Sequence, residues 1–116
     1  MSDEIHYKII KLIEENPNIS QRELAKALGV SLGKANYCLK AIMEVGLIKL
    51  KNFRNNENKL SYAYILTPKG IEQKAAITTR FLKSKQKEYD ELKKEIEILE
   101  RDLAKDELPS AEQETD

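Results

Sequence analysis

The 116-residue chain has one cysteine and one histidine, and it lacks any long apolar run. A lone cysteine rules out a disulfide within the chain and suits a reducing compartment. The histidine, His6, has no Cys, Asp or Glu beside it at metal-ligand spacing, so no metal site is expected. No stretch of about 18 apolar residues and no signal-peptide pattern occurs, so no membrane association is expected and the expected setting is the cytoplasm. Catalytic groupings are missing too: there is no Gly-rich phosphate loop, no second cysteine and no Ser/His/Asp set. Neither an enzyme nor a cofactor is expected. There is no internal repeat, and the formal net charge is zero.

The charge is nevertheless unevenly spread. Residues 1–70 carry 11 Lys/Arg against 7 Asp/Glu, and residues 71–116 carry 9 against 13. Between Ser31 and Lys59 the basic residues are Lys34, Lys40, Lys49, Lys51, Arg54 and Lys59, opposed by Glu44 and Glu57 alone. A basic cluster inside a neutral chain is a modest nucleic-acid footprint, which predicts salt-sensitive binding.

That cluster surrounds a pair of short helices. Ser20 and Glu23 form a capping box, flanked by Ile19 and Leu24 as a hydrophobic staple. Gly29 suits the left-handed turn that ends a helix. Ser31 caps a second helix, and Gly46 ends it. The spacing predicts a helix-turn-helix. In the second helix, Ala35, Leu39 and Ile42 make an apolar stripe, with Leu32, Cys38 and Met43 at its margins. Gly33, Tyr37, Lys40 and Glu44 lie opposite, bordered by Lys34 and Asn36. That polar face suits base edges in a DNA major groove. Lys34 sits in the first turn, where the helix macrodipole disfavours a cation; a nearby phosphate would reverse the sign.

The flanking segments complete the unit. Ser2 or Asp3 caps a first helix whose Ile5, Ile9, Leu12 and Ile13 share a face, and Asn16-Pro17-Asn18 ends it. His6 borders that face as a half-buried residue. After Gly46 the period changes to two. Leu47–Arg54 and Lys59–Leu66 read as strands joined by the polar turn Asn55-Asn56-Glu57-Asn58. A hairpin directly after a helix-turn-helix is a wing, with Arg54 and Lys59 at its tip to reach phosphates or the minor groove. The expected DNA-binding residues are Gln21, Arg22, Ser31, Gly33, Lys34, Asn36, Tyr37, Lys40, Arg54, Asn55, Asn56 and Lys59. Asn36 matches the N6/N7 edge of adenine, and Gln21 and Arg22 are candidates for phosphate. Cys38, on a packed helix, is expected to act as a small hydrophobe.

Thr67 and Pro68 open a last helix with no breaker before Pro109. Ile71, Ala75, Thr78, Leu82, Lys85, Tyr89, Leu92, Ile96, Leu99 and Leu103 step by four and three, a heptad seam strongest from Leu82 onward. At about 1.5 Å per residue, such a helix would span roughly 55–60 Å. A domain of this size cannot cover it, so a coiled coil is expected, with Leu82, Tyr89, Leu92, Ile96, Leu99 and Leu103 as dimerisation residues. Flanking charges leave parallel and antiparallel pairing open. The acidic segment 108–116 is expected to be disordered.

The expected fold class is mainly α with a small β-hairpin: a winged helix-turn-helix over residues 1–70, a long dimerisation helix over 71–107, and the tail. From Ile5 to Gly70 the chain resembles the MarR-type winged helix. The likeness rests on Ser20-Gln21-Arg22-Glu23-Leu24-Ala25, Leu28-Gly29-Val30-Ser31, Leu39-Lys40-Ala41-Ile42, Val45-Gly46-Leu47-Ile48 and Tyr64-Ile65-Leu66-Thr67-Pro68-Lys69-Gly70. Within that family the chain is most similar to the EPS-associated branch, found near bacterial exopolysaccharide genes. The resemblance implies a dimeric regulator that binds double-stranded DNA, with its reading helix at Ser31–Val45 and its wing at Asn52–Leu60. MarR proteins usually dimerise through helices at both ends; here dimerisation is expected to rest on the C-terminal coil. No small-molecule effector is identified. The alternative, from another class, is a winged-helix and coiled-coil adaptor that binds proteins, which the zero net charge and acidic tail also suit.

Overall fold

A computed structural model describes residues 2–54, 57 and 60–114, the stretch 107–114 by its backbone alone. The elements in order are α1 (Asp3–Glu15), α2 (Gln21–Leu28), α3 (Leu32–Glu44), β1 (Ile48–Arg54), β2 (Leu60–Leu66) and α4 (Pro68–Glu114). The chain divides into two units, Met1–Phe81 and Leu82–Asp116.

Local signals set most boundaries in the first unit. Ser2 caps α1, its Oγ accepting the Ile5 N–H at 3.3 Å. At α2 both arms of the capping box are made: the Glu23 N–H donates to Ser20 Oγ at 3.1 Å, and the Ser20 N–H to Glu23 Oε1 at 3.2 Å. Gly29 (φ +71°) and Gly46 (φ +82°) adopt the left-handed conformation that L side chains resist. Each ends a helix and frees the next segment to turn.

The core lies where α1, α2, α3 and the hairpin meet. Ile9, Ile13, Leu24, Leu39, Ile42 and Ile48 are its fully buried large side chains, joined by Cys38. Cys38 thus packs as a small hydrophobe. Strands β1 and β2 pair antiparallel from Ile48↔Leu66 to Arg54↔Leu60. The loop before α2 is stitched to β2: the Tyr64 N–H donates to the Pro17 carbonyl (2.8 Å), and the Tyr62 hydroxyl to the Ile19 carbonyl (3.1 Å). That stitching holds the hairpin against the helices.

Thr67 begins α4. Its Oγ1 accepts the Gly70 N–H at 3.0 Å and donates to the Gly46 carbonyl. Within the first unit α4 also buries residues outside the seam read from sequence. Ile71 is 65% exposed, whereas Ile77 is 2% exposed and belongs to the core. Gly70 is buried as well. Phe81 stacks on Tyr7 with ring centroids 5.2 Å apart. Two ion pairs tie the same face to α1: Arg80 to Asp3 (3.0 Å) and Lys74 to Glu14 (2.8 Å). The face that meets α1 therefore includes Ile77 and Phe81, while Gly70 packs under the Leu47 carbonyl. The first unit reaches Phe81.

The second unit is the rest of α4. Leu82, Tyr89, Leu92, Ile96, Leu99 and Leu103 are between 47% and 65% exposed. The helix as bounded runs through Pro109 to Glu114, past the position where the sequence pattern ends it and begins a tail. Among the described residues no helix is long and apolar enough to cross a membrane.

Candidate nucleic-acid interface

Helix α3 presents the face expected of it. Ala35, Cys38, Leu39 and Ile42 are buried, while Gly33, Lys34, Tyr37, Lys40 and Glu44 are exposed. The 100° step of the helix separates the two sets: three and four residues apart, the apolar positions fall on the α2 side and the polar ones on the other. Asn36, at the border, is half-buried. Leu32, placed at the margin of the apolar stripe by its spacing, is instead 45% exposed. It is the first residue of the helix.

The start of α3 is fixed by Ser31, whose Oγ accepts the Lys34 N–H at 3.1 Å. Lys34 then turns its ammonium over the Tyr37 ring, 5.6 Å from the centroid. That is within cation–π range, where the ring's negative face offsets the unfavourable macrodipole. Tyr37 itself is 66% exposed. A flat ring and two ammonium groups thus share one surface with the small residue Gly33.

At the start of α2, Arg22 is exposed. Gln21 is exposed beside it. Burial pushes the Tyr64 phenol above its usual pKa, with the neighbouring Tyr62 adding to the rise and the Gln21 side chain opposing it.

On the hairpin the alternation sends Lys49, Lys51 and Phe53 to the face away from buried Ile48 and Tyr64, and all three are exposed. Lys49 and Lys51 were absent from the expected DNA-binding residues, although their alternation with Ile48 and Leu50 was the signal that could have included them. Arg54 is exposed at the end of β1. Asn55, Asn56 and Lys59 lie outside the described residues. Among the described residues, no group of three His, Cys, Asp or Glu is placed to hold a metal ion.

A capped pair of helices, an exposed basic and aromatic face on the second, and a lysine-bearing hairpin after it invite comparison with known DNA-binding domains. Residues 2–49 match the family model of winged helix-turn-helix DNA-binding domains. The match takes in α1, α2, α3 and the start of β1, and the hairpin supplies the wing. No curated protein matches the chain.

Solved structures share the winged-helix fold. The transcriptional regulator SlyA is 26% identical, with a TM-score of 0.53 over 70% of this chain and 56% of that one. MarR from Staphylococcus aureus, in complex with salicylate and kanamycin, is 23% identical, with a TM-score of 0.51 over 70% and 53%. A mutant of MepR from S. aureus is 20% identical, with a TM-score of 0.53 over 87% and 74%. The chain spans about half the length of the first two.

Proposed function

We propose that this chain is a homodimeric, sequence-specific DNA-binding transcriptional regulator of the MarR type. Its operons are those of bacterial exopolysaccharide synthesis or similar, on the resemblance carried by residues 5–70. The observation that carries the reading is the exposed face of α3, with Tyr37, Lys34 and Lys40 together, in a domain that matches DNA-binding winged helices. Helix α3 enters a major groove, and the wing lies along the flanking backbone, where Lys49, Lys51 and Arg54 meet phosphates. Ser31, Gly33 and Asn36 belong to the same reading surface, and Gln21 and Arg22 contact phosphate. Asn55, Asn56 and Lys59, outside the described residues, complete the contact set. Residues beyond Phe81 pair two copies through Leu82, Tyr89, Leu92, Ile96, Leu99 and Leu103. Their exposure in a single chain supports that assignment, because a seam of large apolar side chains is costly to leave in water.

The test is a gel shift against DNA upstream of the chain's own gene at two salt concentrations. A shift that weakens with salt is expected. Lys40→Ala and Arg54→Ala should each weaken binding across sequences and reduce the salt slope by about one. Tyr37→Ala and Asn36→Ala should change which sequences are preferred. If all four variants bind like the parent, the contact assignment fails. No shift even at low salt would favour the protein-binding adaptor.

A further inference from the structure

Of the four glycines, three are explained from within the chain. Gly29 and Gly46 hold positive φ angles, and a Cβ on Gly70 would collide with the Leu47 carbonyl. Gly33 has no such reason. It lies inside α3 without a positive φ, and a Cβ built on it meets no atom within 4 Å. Glycine is among the poorest helix formers, because it loses the most backbone freedom on folding. Gly33 is the second residue of α3, and no described neighbour gives a steric reason for a glycine there.

The surroundings say what the bare position faces. Tyr37 follows Gly33 by four residues on the same exposed face. Helical side chains lean toward the N-terminus, so the ring reaches back over this turn. It is drawn to Lys34 rather than laid on Gly33: the ammonium stands 5.6 Å from the ring centroid, and the space above Gly33 stays open. Gly33 thus leaves open space on the exposed face of α3 that also carries the Tyr37 ring, Lys34 and Lys40. A small apolar group carried on a polyanion fits this description. Among base pairs, the major-groove edge offers one such group, the C5-methyl of thymine.

We infer that Gly33 and Tyr37 form a notch on α3 that takes the methyl group of a thymine and so specifies that base. The inference rests on the DNA-reading function proposed above.

The experiment first selects a duplex from a random-sequence library with the full-length protein. Each thymine of that duplex is then replaced by uracil, which deletes the methyl and nothing else. At one thymine per half-site, binding should weaken about three- to fivefold, the transfer value of one buried CH2 unit. Gly33→Ala, whose new methyl fills the notch, should bind the thymine duplex more weakly than the parent and lose the uracil response. Its melting temperature should not fall below the parent's. Tyr37→Phe should keep the uracil response and Tyr37→Ala should lose it.

A flat uracil scan on an enriched duplex overturns the notch and leaves the regulator reading standing. So does a Gly33→Ala variant that keeps both affinity and uracil response. A Gly33→Ala variant that melts lower than the parent shows an internal reason for the glycine and overturns the inference as well. A library in which no duplex is enriched fails the regulator reading itself.

Discussion

Burial holds the pKa of His6 below its ordinary 6.5, with the charge of Arg80 adding to the effect and that of Asp3 opposing it. Its Nε2 is buried without a hydrogen-bond partner, so the folded chain favours the neutral ring. The unfolded chain takes up the proton first. Stability is therefore fully present above pH 6.5 and declines as the pH falls below it. The melting temperature should drop between pH 7 and pH 5, and His6→Gln should flatten that drop. Asp3 acts lower on the scale. The hydrogen bond from Arg80 lowers its pKa from 3.8, so its contribution is present above that value and is lost as the pH falls through the lowered one. The His6 loss begins near pH 6.5 and the Asp3 loss only below 3.8, and a pH series of melts follows both. At the cap of α2, Ser20→Ala removes the acceptor of the Glu23 N–H. That should cost about 1 kcal/mol, read as a fall of about 4–8 °C in melting temperature. Such single-residue features were largely open to sequence reading. Both capping partners, the two chain-reversing glycines and the half-buried His6 follow from neighbours within a few positions. The bond from the Tyr62 hydroxyl to the Ile19 carbonyl did not, because its partners are brought together only by the packing of β2 on the loop before α2.

At the scale of the element, α4 is the instructive case. One helix carries two apolar registers. Ile77 and Phe81 pack within the first unit, and Ile71 of the seam is exposed. Ile77→Ala should cost about 2–5 kcal/mol, since it empties a core position. Ile71→Ala should stay within about 0.5 kcal/mol, as exposed substitutions do. Urea melts of the two variants check the assignment, and equal losses would overturn it. The sequence pattern showed the long, regular seam and not the buried set beside it. A periodicity count weighs length, whereas packing weighs contact with what lies alongside. On α3 the two criteria agree, because one stripe faces α2 and nothing competes for the other. The reading face was accordingly legible from Ala35, Leu39 and Ile42 alone. On β1 the same logic placed Lys49 and Lys51 outward, though attention to the hairpin tip passed over them.

For the whole molecule, the proposal of a pair is tested on the intact chain. Ile96→Asp together with Leu99→Asp puts two carboxylates into the seam while leaving the first unit untouched. Light scattering should show a monomer, and affinity for a two-half-site duplex should fall about 10²- to 10⁴-fold, the gain that linked sites confer. A doubly substituted chain that remains dimeric would move the interface to other surfaces.

Taken by itself, the amino-acid sequence determined the helix boundaries of α1, α2 and α3, the hairpin, and the polar face of α3. Caps, left-handed glycines and alternation act over a few residues, so their effect does not depend on the rest of the chain. Tertiary structure alone decided which face of α4 is core, that the Tyr62 hydroxyl is tied to the Ile19 carbonyl, and that Gly33 faces open space. Each depends on what lies next to a residue in three dimensions, and residues far apart in the chain supply those neighbours.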